Sequence, residues 1–244
     1  MTAKLNRRTQ AGFSLIEVTI SILILVIVMG AVFAQVNRVT QTSKREAVSL
    51  DLVDENRDFV DLFVRDVHMA GYPVKTMYAN QPAPPCTPLA TSLVTCSKSI
   101  AVGIVSASPT SLRLEGDIYG DGNVYSVLYT YFQADPNDPN CPCLRRSAVQ
   151  KLDADPIQGQ TPPLYYTEVQ NVIDPTGMAQ PIFTYFNAAG QQINVGAGVD
   201  FENNAAVMQQ IDAIKVNLNV RSVRIDSTGH ATVNSLTTIA ELEN

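Results

Sequence analysis

The sequence predicts an α+β protein, a long N-terminal α-helix packed on a mainly antiparallel β-sheet domain. Three observations predict it. Val18 to Ala34, 17 residues without a charge, open a helical pattern that persists to about Ala70. From about Ser99 the pattern changes to short alternating segments, which suit a sheet with one packed face and one wet face. Clusters of Asp, Asn, Pro and Gly punctuate those segments as turns.

Counted from Phe13, the apolar segment rises about 30 Å at ~1.5 Å per residue, enough to cross a bilayer. Gly30 weakens it by roughly 1 kcal/mol against alanine, a cost that membrane helices tolerate. Arg38 to Glu46, RVTQTSKRE, is polar. Leu50, Val53, Val60, Phe63, Val67 and Ala70 then recur at three-to-four spacing and predict one buried face. Asp51, Asp54, Glu55, Arg57, Asp58, Asp61, Arg65 and Asp66 fall to the solvated remainder. Gly71 and Pro73 stop the helix. A helix from Phe13 to Ala70 is roughly 87 Å long. No compact soluble domain buries that length, whereas a helix half in a membrane and half on a sheet accounts for it.

Val74 to Ser99 reads as a proline-rich loop with Pro82, Pro84, Pro85 and Pro88. The predicted strands are Ser99–Val105, Ser111–Leu114, Val124–Gln133, Leu144–Leu152, Tyr165–Val172, Ile182–Phe186, Ile211–Val223 and Ala231–Ala240. Turns fall at Gly120-Asp121-Gly122-Asn123, Asp135-Pro136-Asn137-Asp138-Pro139, Asp174-Pro175-Thr176-Gly177 and Asp226-Ser227-Thr228-Gly229. About 170 residues follow the helix, enough for one globular core.

Lys4, Arg7 and Arg8 precede the apolar run with no acid among them, which holds the N-terminus in the cytoplasm and places the rest beyond the inner membrane. All four cysteines, Cys86, Cys96, Cys141 and Cys143, lie in that exported part, where disulfides form. Four cysteines allow three connectivities. Cys86–Cys96 with a local Cys141–Cys143 bridge is preferred, and cross-pairing of the two loops is the rival. A zinc site of four thiolates is the chemical alternative, although the spacing is not that of paired C-x₂-C ribbons.

Little else suggests chemistry. The only histidines are His68 and His230, with neither metal spacing nor a nucleophile arrangement, and no Walker-type loop is present. His68 falls at the helix C-terminus, where a cation suits the dipole. Asp117, Asp121 and Asn123 partly echo a calcium loop, but Tyr119 replaces the second acid and Leu128 stands where a bidentate glutamate belongs. A tight turn between strands is the better reading. The acidic stretch Asp135 to Asn140 reads as a solvated loop. The expectation is a protein that is not an enzyme and uses no cofactor.

One motif points further. Gly12-Phe13-Ser14-Leu15-Ile16-Glu17 follows the basic leader and opens the apolar run. A carboxylate in hydrocarbon is costly, so an intramembrane acid is read as functional. An ordinary secretory signal, cut near Met29 to Ala34, leaves Glu17 unexplained, as does a plain signal anchor. The constellation resembles the class III signal peptide of type IV pilins and type II secretion pseudopilins. The resemblance implies cleavage by prepilin peptidase between Gly12 and Phe13, N-methylation at Phe13, and extraction from the inner membrane into a filament cored by apolar helices. It gives Glu17 an assembly role, pairing with the Phe13 amine of a neighbour in a low-dielectric core.

The implied organisation is a leader over residues 1–12, a transmembrane and filament-core helix over 13–34, a helix continuation packing on the sheet over 35–72, and a β-rich globular domain over 73–244. The mature chain has 232 residues, with 14 basic against 23 acidic residues and a charge of −9. That balance argues against nucleic acid as a partner. The basic pairs Lys44-Arg45 and Arg145-Arg146 read as solvated faces.

Arg65-Asp66-Val67-His68-Met69-Ala70-Gly71-Tyr72 resembles the R-D-x-R-x-A-G-Y ending of PilW-type minor pilins, with His68 where arginine is common. That implies a minor subunit near a filament tip, priming assembly with major and minor pilins on the pilus assembly platform, sometimes with a tip adhesin. The protein is then a single-pass inner-membrane protein before assembly and extracellular afterwards. The rivals are a type II secretion pseudopilin and a membrane-anchored periplasmic enzyme or binding domain.

Overall fold

A computed structural model describes residues 14–73, 86–88, 94–96, 99–152, 156–157, 160–173, 175, 181–225 and 231–243. The chain forms two compact units, residues 1–47 and 48–244. Helix α1 runs from Leu15 to His68, 54 residues, as the sequence pattern requires. Within the first unit its described side chains are exposed, including Leu15, Leu23, Val26, Ile27 and Phe33. Leu15–Lys44 is long and apolar enough to cross a membrane. The hydroxyls of Thr19, Ser21, Thr40 and Thr42 donate to the carbonyls of Ile16, Glu17, Val36 and Arg38. Each is thereby satisfied within the helix and needs no water.

Among its described residues the second unit holds the end of α1, a short helix and twelve strands. The strands are β1 (Cys86–Pro88), β2 (Val94–Cys96), β3 (Ile104–Ala107), β4 (Ser111–Gly116), β5 (Tyr125–Phe132), β6 (Cys143–Gln150), β7 (Tyr165–Val169), β8 (Phe183–Phe186), β9 (Gln192–Ile193), β10 (Val199–Asp200), β11 (Ala213–Ile225) and β12 (Ala231–Glu241). Helix α2 (Phe201–Met208) lies between β10 and β11. A six-stranded sheet has the order β10-β3-β4-β5-β6-β7, a four-stranded sheet the order β12-β11-β8-β9, and β1 pairs β2 in a ribbon. Every described pairing is antiparallel.

The core explains the architecture. Leu112, Leu114, Val127, Tyr129 and Leu144 face inward from the six-stranded sheet, and Phe183, Tyr185, Ile214, Val216, Leu218 and Val220 from the four-stranded one. Phe59, Phe63, Val67 and Ala70 of α1 join the same cluster. The Phe63 ring lies 5.5 Å from Tyr129 and 6.0 Å from Phe183, so one side chain touches both sheets. Burying an aromatic of this size contributes about 1.5–3 kcal/mol. The helix ends where expected: Gly71 takes φ 86°, a left-handed stop that a β-carbon resists. Beyond it Ala70 bridges Gly116, and a β-carbon on Gly116 would run into the Met69 carbonyl.

Several expectations need correction. The β domain is two sheets and a ribbon, so α1 packs on both sheets rather than across one. The ribbon β1–β2 interrupts the segment read as a proline-rich loop. The first predicted strand is displaced: Ile104–Ala107 is extended, after Gly103. Helix α2 and the short strands β9 and β10 were not foreseen; Asp200 caps α2 by accepting from the Asn203 N–H at 2.7 Å. On α1, Leu50 is 63% exposed and Val53 45% exposed, whereas Phe59 is buried. The buried face therefore begins later than the spacing predicts and includes Asp66, in place of the solvated position expected for it.

Candidate functional site

At the head of α1, Ser14 precedes the first helical residue and Glu17 lies three positions on. The Ser14 N–H donates to Glu17 Oε2 at 3.0 Å. The Ser14 carbonyl accepts from the N–H groups of Glu17 and Val18 at 3.0 and 3.2 Å. This is half of a capping box, in which a carboxylate reaches back to an N-terminal donor that has no intrahelical acceptor. The Ser14-x-x-Glu17 spacing is itself the sequence signature of such a cap. Glu17 is exposed, with apolar Leu15, Ile16, Val18 and Ile20 exposed around it. Its carboxylate thus stands on a surface that water does not favour. Gly12 and Phe13 lie outside the described residues.

The other end of α1 carries a buried polar array. Asp66 Oδ2 accepts from Tyr129 Oη and from Arg146 Nε, both at 2.7 Å, with Asp66 fully buried. Burial opposes the Arg146 charge, but the hydrogen bond and charge of Asp66 outweigh it and hold the guanidinium pKa above its ordinary value. Burial, reinforced by the Asp66 charge, raises Tyr129 well above the usual phenol range. Nearby, Lys151 Nζ donates to Glu115 Oε2 at 2.7 Å and to the Ile100 carbonyl at 3.1 Å. The same Glu115 oxygen accepts the Val102 N–H at 3.1 Å. Burial raises the Glu115 pKa against the opposing pull of Lys151. Arg146 and Asp66 are therefore not the solvated groups the sequence reading made them: each was 80 residues from its partner along the chain, beyond any local pattern.

Residues 7–33 match the family model of the prokaryotic N-terminal methylation motif. That motif, ahead of an apolar helix, supports a pilin-like protein with a class III signal. No curated protein and no solved structure matches it. The motif is that of type IV pilins and pseudopilins, and it implies processing by prepilin peptidase and assembly with other pilins. The motif and the apolar helix behind it fit membrane anchoring.

The remaining candidates are accounted for locally. Asp117 accepts the Asp121 and Gly122 N–H groups at 3.0 and 2.9 Å. Asp121 accepts from the Asn123 N–H at 2.9 Å and from Tyr125 Oη at 2.7 Å. The loop thus directs its carboxylates at its own donors, as a turn between β4 and β5 does. Among the described residues no group of three or more His, Cys, Asp or Glu is placed to hold a metal. Cys141 and Cys143 form a disulfide. Cys86 and Cys96 are register partners in the β1–β2 ribbon, and their side chains are outside the described residues. His68 Nδ1 stands 3.6 Å from Glu243 Oε1, and His230 lies outside the described residues. Arg145 pairs with Asp138 and lies over the Phe132 ring at 4.9 Å.

Proposed function

We propose that the chain is a minor pilin of a type IV pilus, PilW-like in its helix ending, with a structural rather than an enzymatic task. Prepilin peptidase cuts between Gly12 and Phe13, Phe13 is N-methylated, and the apolar helix holds the subunit in the inner membrane until extraction. In the filament Glu17 exchanges its capping bond to Ser14 for the cationic Phe13 amine of a neighbouring subunit. An unpaired buried charge is expensive, so the pair selects the correct axial register. The subunit sits near the filament tip and primes assembly with other major and minor pilins.

The observation that carries this reading is the methylation motif at residues 7–33, with its one acid set among exposed apolar side chains. The test is intact-mass and N-terminal peptide analysis of the membrane-fraction protein, with and without prepilin peptidase. A chain beginning at N-methylated Phe13 only when the peptidase is present supports the reading. An N-terminus at Met1 in both samples, or one after Ala34, refutes it. Assembly into purified pili, as against a secretion pseudopilus, then separates the minor pilin from the pseudopilin.

A further inference from the structure

The outer edge of β12 is the least defended surface of the β-rich unit. β12 ends the order of the four-stranded sheet, and among the described residues no strand pairs with its outer side. Proteins usually blunt such edges with charges, prolines or bulges. From Ala231 to Ala240, ATVNSLTTIA, β12 has no charge, no proline and no glycine. Val233 and Ile239 are 53% and 57% exposed.

The register with β11 fixes which main-chain groups reach that edge. Leu236 pairs Leu218, Thr238 pairs Val216 and Ala240 pairs Ile214, and the Leu242 N–H continues the ladder onto the Asp212 carbonyl. On β11 the odd residues turn the other way, as the Asn217 N–H bond to the Ile182 carbonyl and the Ile173 N–H bond to the Asn219 carbonyl require. Even-numbered residues of β12 therefore bond to β11, since antiparallel partners alternate. Val233, Ser235, Thr237, Ile239 and Glu241 aim their N–H and C=O groups outward.

We infer that this edge pairs with the same edge of a second copy of the chain, antiparallel and two-fold symmetric about Leu236. Leu236 is the midpoint of β12, so this register uses the whole strand. It sets Ser235 opposite the second copy's Thr237 and Val233 opposite its Ile239. Both are pairs of outward-facing residues, which exchange two N–H···O bonds each. Hydroxyl meets hydroxyl and β-branched meets β-branched, the cross-strand matches that favour a sheet. Leu236 meets its own copy as the non-hydrogen-bonded pair, where side chains come closest. Shifting the centre by two residues sets Val233 opposite Ser235, or Ser235 opposite Glu241, and leaves strand ends unpaired. An isologous contact of this kind closes on itself and does not propagate. The inference does not depend on the filament reading.

The test uses the full chain in its native membrane, with two differently tagged copies co-expressed and a short bifunctional thiol reagent. Val233→Cys in one copy with Ile239→Cys in the other is expected to cross-link. Val233→Cys paired with Val233→Cys is not, because six residues of strand separate those positions by about 20 Å. The expected difference is about tenfold, a Cα separation of ~5.5 Å against one beyond the reagent's reach. Thr237→Pro is expected to abolish the cross-link while leaving the protomer as protease-resistant as the parent, because that N–H bonds to nothing within its own sheet. Absence of the mixed cross-link in variants that reach the membrane folded overturns the inference. So does equal linkage of the matched and self-paired cysteines, or linkage to a different protein in place of the second copy.

Discussion

Asp66→Asn tests how the helix is fastened to the sheets. The substitution preserves shape and removes the charge that two donors address at 2.7 Å. Arg146, whose side chain is 9% exposed, cannot shed its proton and is left buried without its counter-charge. Removing one partner of a buried pair costs about 3–5 kcal/mol, a large part of the ~5–15 kcal/mol that holds a domain folded. At ~2–3 kcal/mol per molar of urea, the midpoint should fall by roughly 1–2.5 M. The assay is urea unfolding of the full chain in detergent, followed by near-ultraviolet circular dichroism. The chain has no tryptophan, and all nine tyrosines lie at or after Tyr72, so the tyrosine signal reports the β-rich unit alone. Asp61→Asn, on an exposed position of the same helix, should change the stability by no more than about 0.5 kcal/mol. Replacing both partners by apolar residues, Asp66→Leu with Arg146→Met, should recover most of the loss, because no orphaned charge remains. The reasoning fails if Asp66→Asn behaves like Asp61→Asn, or if the double variant is as unstable as the sum of its parts.

Other outcomes follow from the same fold. Glu17→Ala should leave the protein in the membrane but sharply reduce its incorporation into filaments, counted by immunoblot of sheared pili; normal incorporation refutes the role given to Glu17. Gly116→Ala should lower stability by about 1–3 kcal/mol in the urea assay, because the new methyl meets the Met69 carbonyl backbone and not a flexible side chain. Burial holds the folded Glu115 pKa above the ordinary glutamate value of 4.5, so its contribution is full below that pH and is lost as pH rises through the folded value. The stability slope just above pH 4.5 should therefore flatten in Glu115→Gln, as read from urea midpoints across pH; an unchanged slope assigns it to other groups. Calcium or chelator should leave the unfolding midpoint unchanged, and a calcium-dependent rise would mean that Asp117 and Asp121 release their turn donors to bind the ion.

The sequence by itself determined what local physics controls. Seventeen uncharged residues behind a basic leader specify an apolar helix whatever follows, and Gly71 stops it because only glycine takes φ 86° freely. Alternation in Tyr125–Phe132 and Ala213–Ile225 specified strands, since period two is a property of the strand itself. The residues from Gly12 to Glu17 pointed to the N-terminal methylation motif from six consecutive positions. Only the tertiary structure decided how the strands divide into two sheets, because pairing joins segments whose separation no short window records. It also decided that Asp66 is buried and Leu50 exposed, although both obey a helical period, because burial depends on what the fold sets against each face. Arg146 shows the same limit. Beside Arg145 it resembles a solvated pair, and its environment is fixed by a carboxylate on another element that the chain brings to it only by folding.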